Sequence, residues 1–466
     1  MKNSNILTNF RAFPRPIRST AINLVAARKY YLRYGSEYRS FRRFLSHSDD
    51  FSIDEREAWK LQRLISLVSN ATENTEYYGA QAEVYTNALG ARTLDDALRH
   101  LPPLRKEVLR SSPNALLSTA YRTVETSSTS GTTGSPMQVQ HERGSIMRRF
   151  AFQHNHAERN GIQPFAPSIR LSGRLIARSS DPRPYLYNIF ERQYFMSSYH
   201  LHERYAHAIS DMLHRAQPTH IDGYPSAIAQ LIELAASVRP LPTSLTHAIT
   251  TAETLDPSTV ERIRSPSGIL VLDYYSASEG LPYIQQCVHG IYHVRWQSGI
   301  LEVERGGEYF RSGDGALVCT SFVQDKMPLI RYSTGDWIEG LQPYQECACG
   351  LKTETVNSVL GRVEDLVITR DGRSLGMFSY RTLKTIKGLE ETQIIQNDFD
   401  DFTVLSTRQG ADDNQVVEDE IASHFSNALG YSVRVELRCV KSIPRGPNGK
   451  LRLVISNMRA TSGTKA

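Results

Sequence analysis

The stretch that most constrains this chain is an uncharged run of eleven residues, Thr126 to Pro136, reading TSSTSGTTGSP. Eight of the eleven carry a hydroxyl and two are glycine. Glycine permits φ > 0 and close approach of the backbone to a ligand, so successive N–H groups can converge on one concavity. Hydroxyls add donors that rotate to suit their acceptors. The pattern suits a polyphosphate held by neutral donors, or a solvated Ser/Thr/Gly linker. A lysine-bearing P-loop is excluded, because no Gly-Lys-Ser/Thr follows at the required spacing.

At 466 residues the chain exceeds one ordinary core, so two or more domains are expected. Its 40% hydrophobic and 22% charged content is that of a soluble globular protein, and no run of eighteen apolar residues could span a bilayer. The expected location is cytoplasmic: the N-terminus lacks a compact apolar leader, and five cysteines do not make a disulfide framework in a chain this size. The net charge of +5 is unevenly spread. Residues 1–47 hold ten Lys/Arg against Glu37, a charge of +9, which leaves −4 for the rest. Leu24, Ala27, Tyr31 and Tyr38 are interleaved with those cations. Such a segment suits a helical lead-in packing its aromatics on the main domain, or peripheral contact of residues 1–47 with the inner membrane face. Nucleic acid is not an expected partner, since the remainder is acidic and no nucleic-acid module is visible.

Helical and strand patterns alternate along the chain. Apolar residues at helical spacing run from Glu55 to Asn70, and helices are also expected over Tyr205–Ala216, Ala227–Val238 and Val416–Leu429. Ile269–Tyr275 reads as a short buried strand ending in a site loop, and Asp365–Thr369, Phe402–Ser406 and Val433–Val440 read as further strands. Alternating α and β elements predict a largely parallel sheet with ligands at the strand carboxyl ends. A boundary near Gly361-Arg362 divides the chain into a basic helical lead-in (1–70), a core domain (71–360) and a small α+β domain (361–466).

Four further motifs follow the Gly/Thr run in order: Tyr274-Tyr275-Ser276-Ala277-Ser278-Glu279, Arg331-Tyr332-Ser333-Thr334-Gly335-Asp336, Gly361-Arg362-Val363-Glu364-Asp365, and Ile443 to Arg452 (IPRGPNGKLR). Together the five resemble the ordered motifs of the adenylate-forming superfamily of acyl-CoA synthetases, adenylation domains and luciferases. The chain looks most like the phenylacetate–CoA ligase branch, and there the CapK-like proteins of polysaccharide gene clusters. The resemblance covers nearly the whole chain. It implies an α/β fold, with a large multi-sheet N-terminal adenylation domain and a small mobile α+β C-terminal lid.

The resemblance also assigns roles. Ser130, Gly131, Thr132, Thr133 and Gly134 would grip the β and γ phosphates of ATP. Glu279 would bind Mg²⁺, a hard cation that prefers oxygen, with Tyr275 and Ser278 beside it. Ala252 and Glu253 in Thr251-Ala252-Glu253 resemble the adenine-contacting segment. Asp336 would accept hydrogen bonds from the ribose hydroxyls, as a carboxylate can from a vicinal diol, with Arg331 and Tyr332 in support. Arg362 would reach ribose or phosphate from the hinge. Lys450, held out of regular structure by the Pro/Gly turn, would bridge the acid and the α-phosphate. The sequence departs from the family at Ser135, Ser276 and Glu364.

A second constellation, Cys287-x5-His293 with Cys347-x-Cys349, matches a Cys₃His structural Zn²⁺ site. His289 competes with His293, and Cys319 and Cys439 read as core residues. His154, His156 and the tyrosines between 185 and 205 could line an acyl pocket or pack a core. The expected activity is ATP- and Mg²⁺-dependent conversion of a small-molecule carboxylic acid to an acyl-adenylate, with pyrophosphate released. The acyl group would pass to CoA or to an amine acceptor, in surface-polysaccharide or secondary metabolism. Two rivals remain: a catalytically inactive nucleotide- or acyl-binding scaffold of the same fold, and a kinase.

Overall fold

The computed structural model describes residues 13–128, 137–173, 176–177, 181–266, 268–362, 367–370, 374–375, 382–383, 386, 389, 391–407, 414–445 and 451–458. Three helices lead into the core: α1 (Arg15–Arg33), α2 (Ser36–His47) and α3 (Ile53–Asn74). A capping box of Ser52 and Glu55 starts α3, which runs on past Asn70. Its buried residues Leu64, Leu67, Val68 and Ala71 recur at helical spacing and enter the largest core.

The basic N-terminal segment divides its side chains. Tyr38 is buried, and Tyr34 packs on Phe150, His154 and Phe165. Leu24 and Tyr31 on α1 are instead 69% and 73% exposed. One basic segment therefore presents both a packed face and an open one.

The strands β1 (Glu125–Ser128) and β2 (Gln138–His141) pair antiparallel across the Gly/Thr run. After them comes α4 (Arg143–Arg159) and the first half of the main sheet. Its strands are β3 (Ser168–Ser172), β4 (Tyr185–Asn188), β5 (Gln193–Ser197), β6 (His220–Gly223), β7 (His247–Thr251) and β8 (Leu270–Tyr275). The order β5-β3-β6-β7-β8 is parallel throughout, with β4 antiparallel outside β5. Crossover helices α5 (Ala206–Ala216), α6 (Pro225–Ala236) and α7 (Pro257–Arg264) join these strands. Ile209, Leu213, Ile228 and Leu231 from α5 and α6 pack on Ile221, Ala248 and Val271 of the sheet. Side chains alternate across a strand, so Ile249 and Tyr274 face the other way, where Ala151 and Phe152 of α4 join their cluster.

Beyond β8 the sheet becomes antiparallel. Its strands are β9 (Ile284–Gln286), β10 (Tyr292–Val294), β11 (Gly299–Arg305), β12 (Glu308–Phe310), β13 (Gly313–Ser321), β14 (Tyr332–Glu346), β15 (Lys352–Val356) and β16 (Ser358–Arg362). They extend the path as β8-β9-β10-β15-β14-β13-β11-β12, with β16 also on β14. The C-terminal part has its own elements: β17 (Val367–Ile368), β18 (Ser374–Leu375), β19 (Thr392–Asp398), β20 (Asp401–Ser406), α8 (Asn414–Leu429), β21 (Arg434–Cys439) and β22 (Val454–Ser456). Four of these strands form a sheet in the order β21-β20-β19-β22. Phe402, Val404, Ile421 and Phe425 lie in its separate core.

The fold is thus α/β, with a large multi-strand sheet and a smaller C-terminal α+β unit. Among the described residues, the strand expected over Asp365–Thr369 comprises Val367 and Ile368. Cys319 is a core residue as expected, but Cys439 is exposed. The reason is position: Cys439 ends β21, the edge strand of its sheet.

Asp273 on β8 ties three strands together. Thr250 on β7 donates to it at 2.6 Å and the Tyr292 hydroxyl on β10 at 2.9 Å. Burial pushes its carboxyl up to about 6, against those two donors. Between pH 4 and 6 the native chain therefore holds a proton that the unfolded chain has lost, so stability falls as pH rises through that window. The loss amounts to at most about 3 kcal/mol. Asp273→Asn should be more stable than wild type at pH 7.5 and no more stable at pH 4, as read from denaturant unfolding midpoints.

Candidate functional site

The candidate site lies where β7 and β8 end. Ala252, directly after β7, has φ 71°, a left-handed conformation that costs a non-glycine residue roughly 1–2 kcal/mol. Its neighbours fix it there. The half-buried Glu253 carboxylate accepts the Leu451 N–H at 2.7 Å and the Ser226 N–H at 3.3 Å. Thr254 donates to the Leu360 carbonyl at 3.2 Å. Burial raises the Glu253 carboxyl above its ordinary value. Glu253 therefore binds the C-terminal unit to the start of α6.

Tyr275, the last residue of β8, donates its hydroxyl to Asp336 Oδ2 at 2.6 Å. Burial, then the Asp336 charge, pushes the Tyr275 phenol well up, so it stays a neutral donor. Asp336 sits on β14 directly opposite Arg362 of β16, and its backbone N–H donates to Thr334 Oγ1 at 3.0 Å. Glu279 is buried in the turn after β8, close enough for its charge to act on Tyr275 and Tyr332. Ser278 shares that turn and is half-buried. Among the described residues the buried hydroxyls of Ser276 and Ser333 have no partner. An unsatisfied buried hydroxyl is costly, and a polar ligand such as a nucleotide would satisfy both.

Arg331 departs from expectation. Its guanidinium makes a two-pronged pair with Glu302 at 2.9 and 2.8 Å and donates to the Leu101 carbonyl at 2.6 Å. With its donors taken by this buried pairing, it braces β11 against the segment before Leu104 and does not serve Asp336. Sequence reasoning also missed His141 and Gln324. His141 Nε2 bonds Ser127 Oγ at 2.8 Å and its Nδ1 bonds Gln324 Oε1 at 3.0 Å. Burial holds this imidazole at about 4, so it is neutral and can donate on one side and accept on the other. Gln324 packs against Gly280, so the chain of contacts joins the β1–β2 hairpin to the turn that carries Glu279. No sequence signal marks either residue, because the pairing spans more than 180 positions.

Cys287, His293, Cys347 and Cys349 place their ligand atoms within 4.8 Å of one another. His289 is exposed and stands outside the cluster. Two matching turns build it. In each, the first cysteine's N–H donates four residues on, Cys287 to Ile291 and Cys347 to Leu351, and a glycine three residues on donates back to that cysteine's carbonyl. Those glycines, Gly290 and Gly350, have φ of 78° and 86°, values that a side chain would strain. The Cys287 and Cys347 sulfurs are 3.9 Å apart, and Cys349 Sγ is 3.4 Å from His293 Nε2. Tetrahedral Zn²⁺ with bonds of about 2.3 Å to sulfur and 2.0 Å to nitrogen has edges of about 3.5–3.8 Å, so the donor set fits. Thr353 Oγ1, 2.9 Å from His293 Nδ1, orients the ring with Nε2 toward the sulfurs.

His154 and His156 line a cavity of about 80 Å³ between α4 and the sheet face carrying Arg170, Asp222, Ile249 and Tyr274. Both also pack: His154 stacks on Tyr34, and His156 is buried and bonded to the Gln286 carbonyl at 2.7 Å.

Residues 367–457 match the family model of the CapK C-terminal domain. Over 440 residues the chain is 24% identical to protein CapK of Staphylococcus aureus, covering 91% of this chain and 92% of that protein. It is likewise 24% identical over 402 residues to phenylacetate-coenzyme A ligase of Thermus thermophilus, covering 80% and 83% of the two chains. Over most of its length the chain is thus similar to CapK and to phenylacetate-coenzyme A ligase. Among solved structures, 2-hydroxyisobutyryl-CoA ligase in the postadenylation state superposes with a TM-score of 0.66 at 19% identity, over 87% of this chain and 90% of that one. The same ligase in the thioesterification state gives 0.54 at 20% identity over the same shares.

Several family positions of this CapK-like chain lie outside the described residues: Ser130, Gly131, Thr132, Thr133, Gly134, Glu364 and Lys450. Of Arg362, the strand position is described and the side chain is not. The described positions Ala252, Glu253, Tyr275, Ser278, Glu279 and Asp336 come from three separate stretches and gather where β7 and β8 end.

Proposed function

We propose that this chain is an ATP-dependent ligase that activates a carboxylic acid as its acyl-adenylate. In that reaction a carboxylate oxygen attacks the α-phosphorus of ATP, the bond to the β-phosphate bridge breaks, and pyrophosphate leaves. An acceptor thiol of CoA, or an amine, then attacks the acyl carbon and AMP departs. Ser130 to Gly134 would hold the leaving phosphates and Asp336, steadied by Tyr275, the ribose. Glu279 is the carboxylate offered to Mg²⁺, whose charge would offset that of pyrophosphate. Arg362 and Lys450 would meet the phosphates and the acid. Residues 71–360 would form the adenylation core and 361–466 the lid.

One observation carries this reading. Arg445 and Leu451, which bracket the segment holding Lys450, both bond to residues just past the strand ends: Arg445 to Ser226 Oγ at the start of α6 at 2.8 Å, Leu451 to Glu253 after β7. The better superposition on the postadenylation state supports the same domain arrangement. The decisive experiment measures pyrophosphate and acyl-hydroxamate formation from ATP, hydroxylamine and a panel of acids. Activity with one acid class, reduced at least about 100-fold in Lys450→Ala, is the expected result. ADP as the product would make the protein a kinase, and ATP binding without turnover would make it a scaffold.

The Cys₃His cluster is the proposed holder of one structural Zn²⁺. Elemental analysis of purified protein should give one zinc per chain, and Cys347→Ser/Cys349→Ser should lose it together with thermal stability.

Peripheral membrane contact is proposed for α1. Ile17, Leu24 and Tyr31 recur every seven residues on one exposed line, continued by Phe13. Arg28, Arg39 and Arg43 are exposed, with no ion pair among the described residues. Cations flanking an exposed apolar line suit an anionic bilayer surface. No helix of the described residues is long and apolar enough to cross a membrane. The chain should cosediment with vesicles containing phosphatidylglycerol and not with pure phosphatidylcholine, and Leu24→Ser/Tyr31→Ser should abolish that binding.

A further inference from the structure

The cavity beneath α4 has a polar floor that acid activation alone does not explain. Arg170 on β3 and Asp222 on β6 lie side by side in register, with Nη1 and Oδ2 3.6 Å apart. That separation lies beyond a good hydrogen bond. A third of the Arg170 side-chain surface stays open, and both residues line the cavity. Among the described residues neither side chain makes a hydrogen bond. Gln153 meets the same space from α4, its amide likewise without a partner among the described residues. His154 and His220 complete the wall as neutral rings, both held at about 4 by burial. Each has Nδ1 engaged by a hydroxyl, Tyr38 at 2.6 Å and Thr219 at 3.0 Å. Glu191 lines the cavity too, and is matched by Arg33 and Tyr34.

Charge and geometry together select the occupant. The wall includes the apolar Phe150, Phe165 and Ile249, but an aryl or alkyl tail would strip water from Arg170, Asp222 and Gln153 and offer none of them a hydrogen bond. A second carboxylate would reach Arg170 only by approaching Asp222 and Glu191. A hydroxyl suits both members of the pair, because it can donate to the Asp222 carboxylate while accepting from the Arg170 guanidinium. Adjacent hydroxyls would extend the same pattern to Gln153. Tyr274 lines the cavity while Tyr275, the next residue, holds Asp336 from the opposite face, and Arg170 and Asp222 stand two residues and one residue before the carboxyl ends of β3 and β6. A strand advances only about 3.3 Å per residue. A tail lying over Arg170 and Asp222 can thus direct its carboxylate toward the strand ends.

We infer that the acid taken by this chain carries an uncharged, polyhydroxylated tail, as aldonic and uronic acids do, recognised by Arg170, Asp222 and Gln153. This inference rests on the adenylation reading for its reaction, but its binding test does not need ATP. Titration calorimetry of the full chain with gluconate, glucuronate, hexanoate and phenylacetate provides that test. The expected result is binding of gluconate or glucuronate at least 100-fold tighter than of hexanoate or phenylacetate, since sites built around hydroxyls strongly reject analogues lacking them. Arg170→Met/Asp222→Leu removes both charges at once, so no lone buried ion is left to unfold the protein. That double variant, and separately Gln153→Leu, should each lose at least tenfold affinity for the hydroxylated acid. Preference for hexanoate or phenylacetate, no binding of either hydroxylated acid, or unchanged affinity in the variants would overturn the inference. Pyrophosphate release measured in parallel separates the two proposals. Hydroxylated-acid binding without release removes adenylation and keeps the cavity's preference, whereas release with phenylacetate alone does the reverse.

Discussion

The carboxylate of Glu253 is the contact on which the arrangement of this molecule depends. It stands just past β7, fixes the start of α6 through the Ser226 N–H, and holds the C-terminal unit through the Leu451 N–H. Three segments distant in sequence therefore meet at one half-buried group. Because the accepted donors are backbone N–H groups, their direction is set by the main chain and leaves little rotational slack. The left-handed Ala252 beside it is the conformational cost of turning the carboxylate to that point. In this conformation Glu253 acts as a clasp between the core and the C-terminal unit.

Most of the fold was legible because it obeys local rules. Helical spacing located α3, α5, α6 and α8, and the apolar run before Tyr275 located β8. Ordered motifs placed Tyr275 and Asp336 together, and the structure joins them by a hydrogen bond. The Cys₃His set was readable from residue type, though its spacing left His289 and His293 in competition; the hairpin of β9 and β10 points His293 inward. What stayed hidden were partnerships made across the chain. Arg331 looks like a site residue within its motif, and only the position of β11 shows that Glu302 claims it. His141 with Gln324, and Arg170 with Asp222, join residues whose neighbourhoods carry no shared pattern. Cys439 misled for the complementary reason, since an apolar run says nothing about which strand ends at a sheet edge.

The two faces of the parallel sheet are used differently. One is covered by α5 and α6 with aliphatic side chains, an ordinary core that sets stability. The other, under α4, mixes an apolar cluster with charged and hydrogen-bonding groups around open space. Period-two alternation along β6 makes that division automatic: Ile221 faces the aliphatic side while His220 and Asp222 face the cavity. The sheet can thus vary its ligand-facing residues without disturbing the packing behind them.

The length of β14 has a mechanical consequence. Its fifteen residues carry Asp336 near the start and deliver Cys347 just past the end, a span of roughly 36 Å at the rise of a strand. A metal at the cysteine end is too remote to touch reacting atoms beside Asp336. What it can do is pin the free end of a long ribbon whose other end must hold a carboxylate steady. The thiol cluster then behaves as a guy-line, and the accuracy of one end of the molecule is inherited from the stiffness of the other.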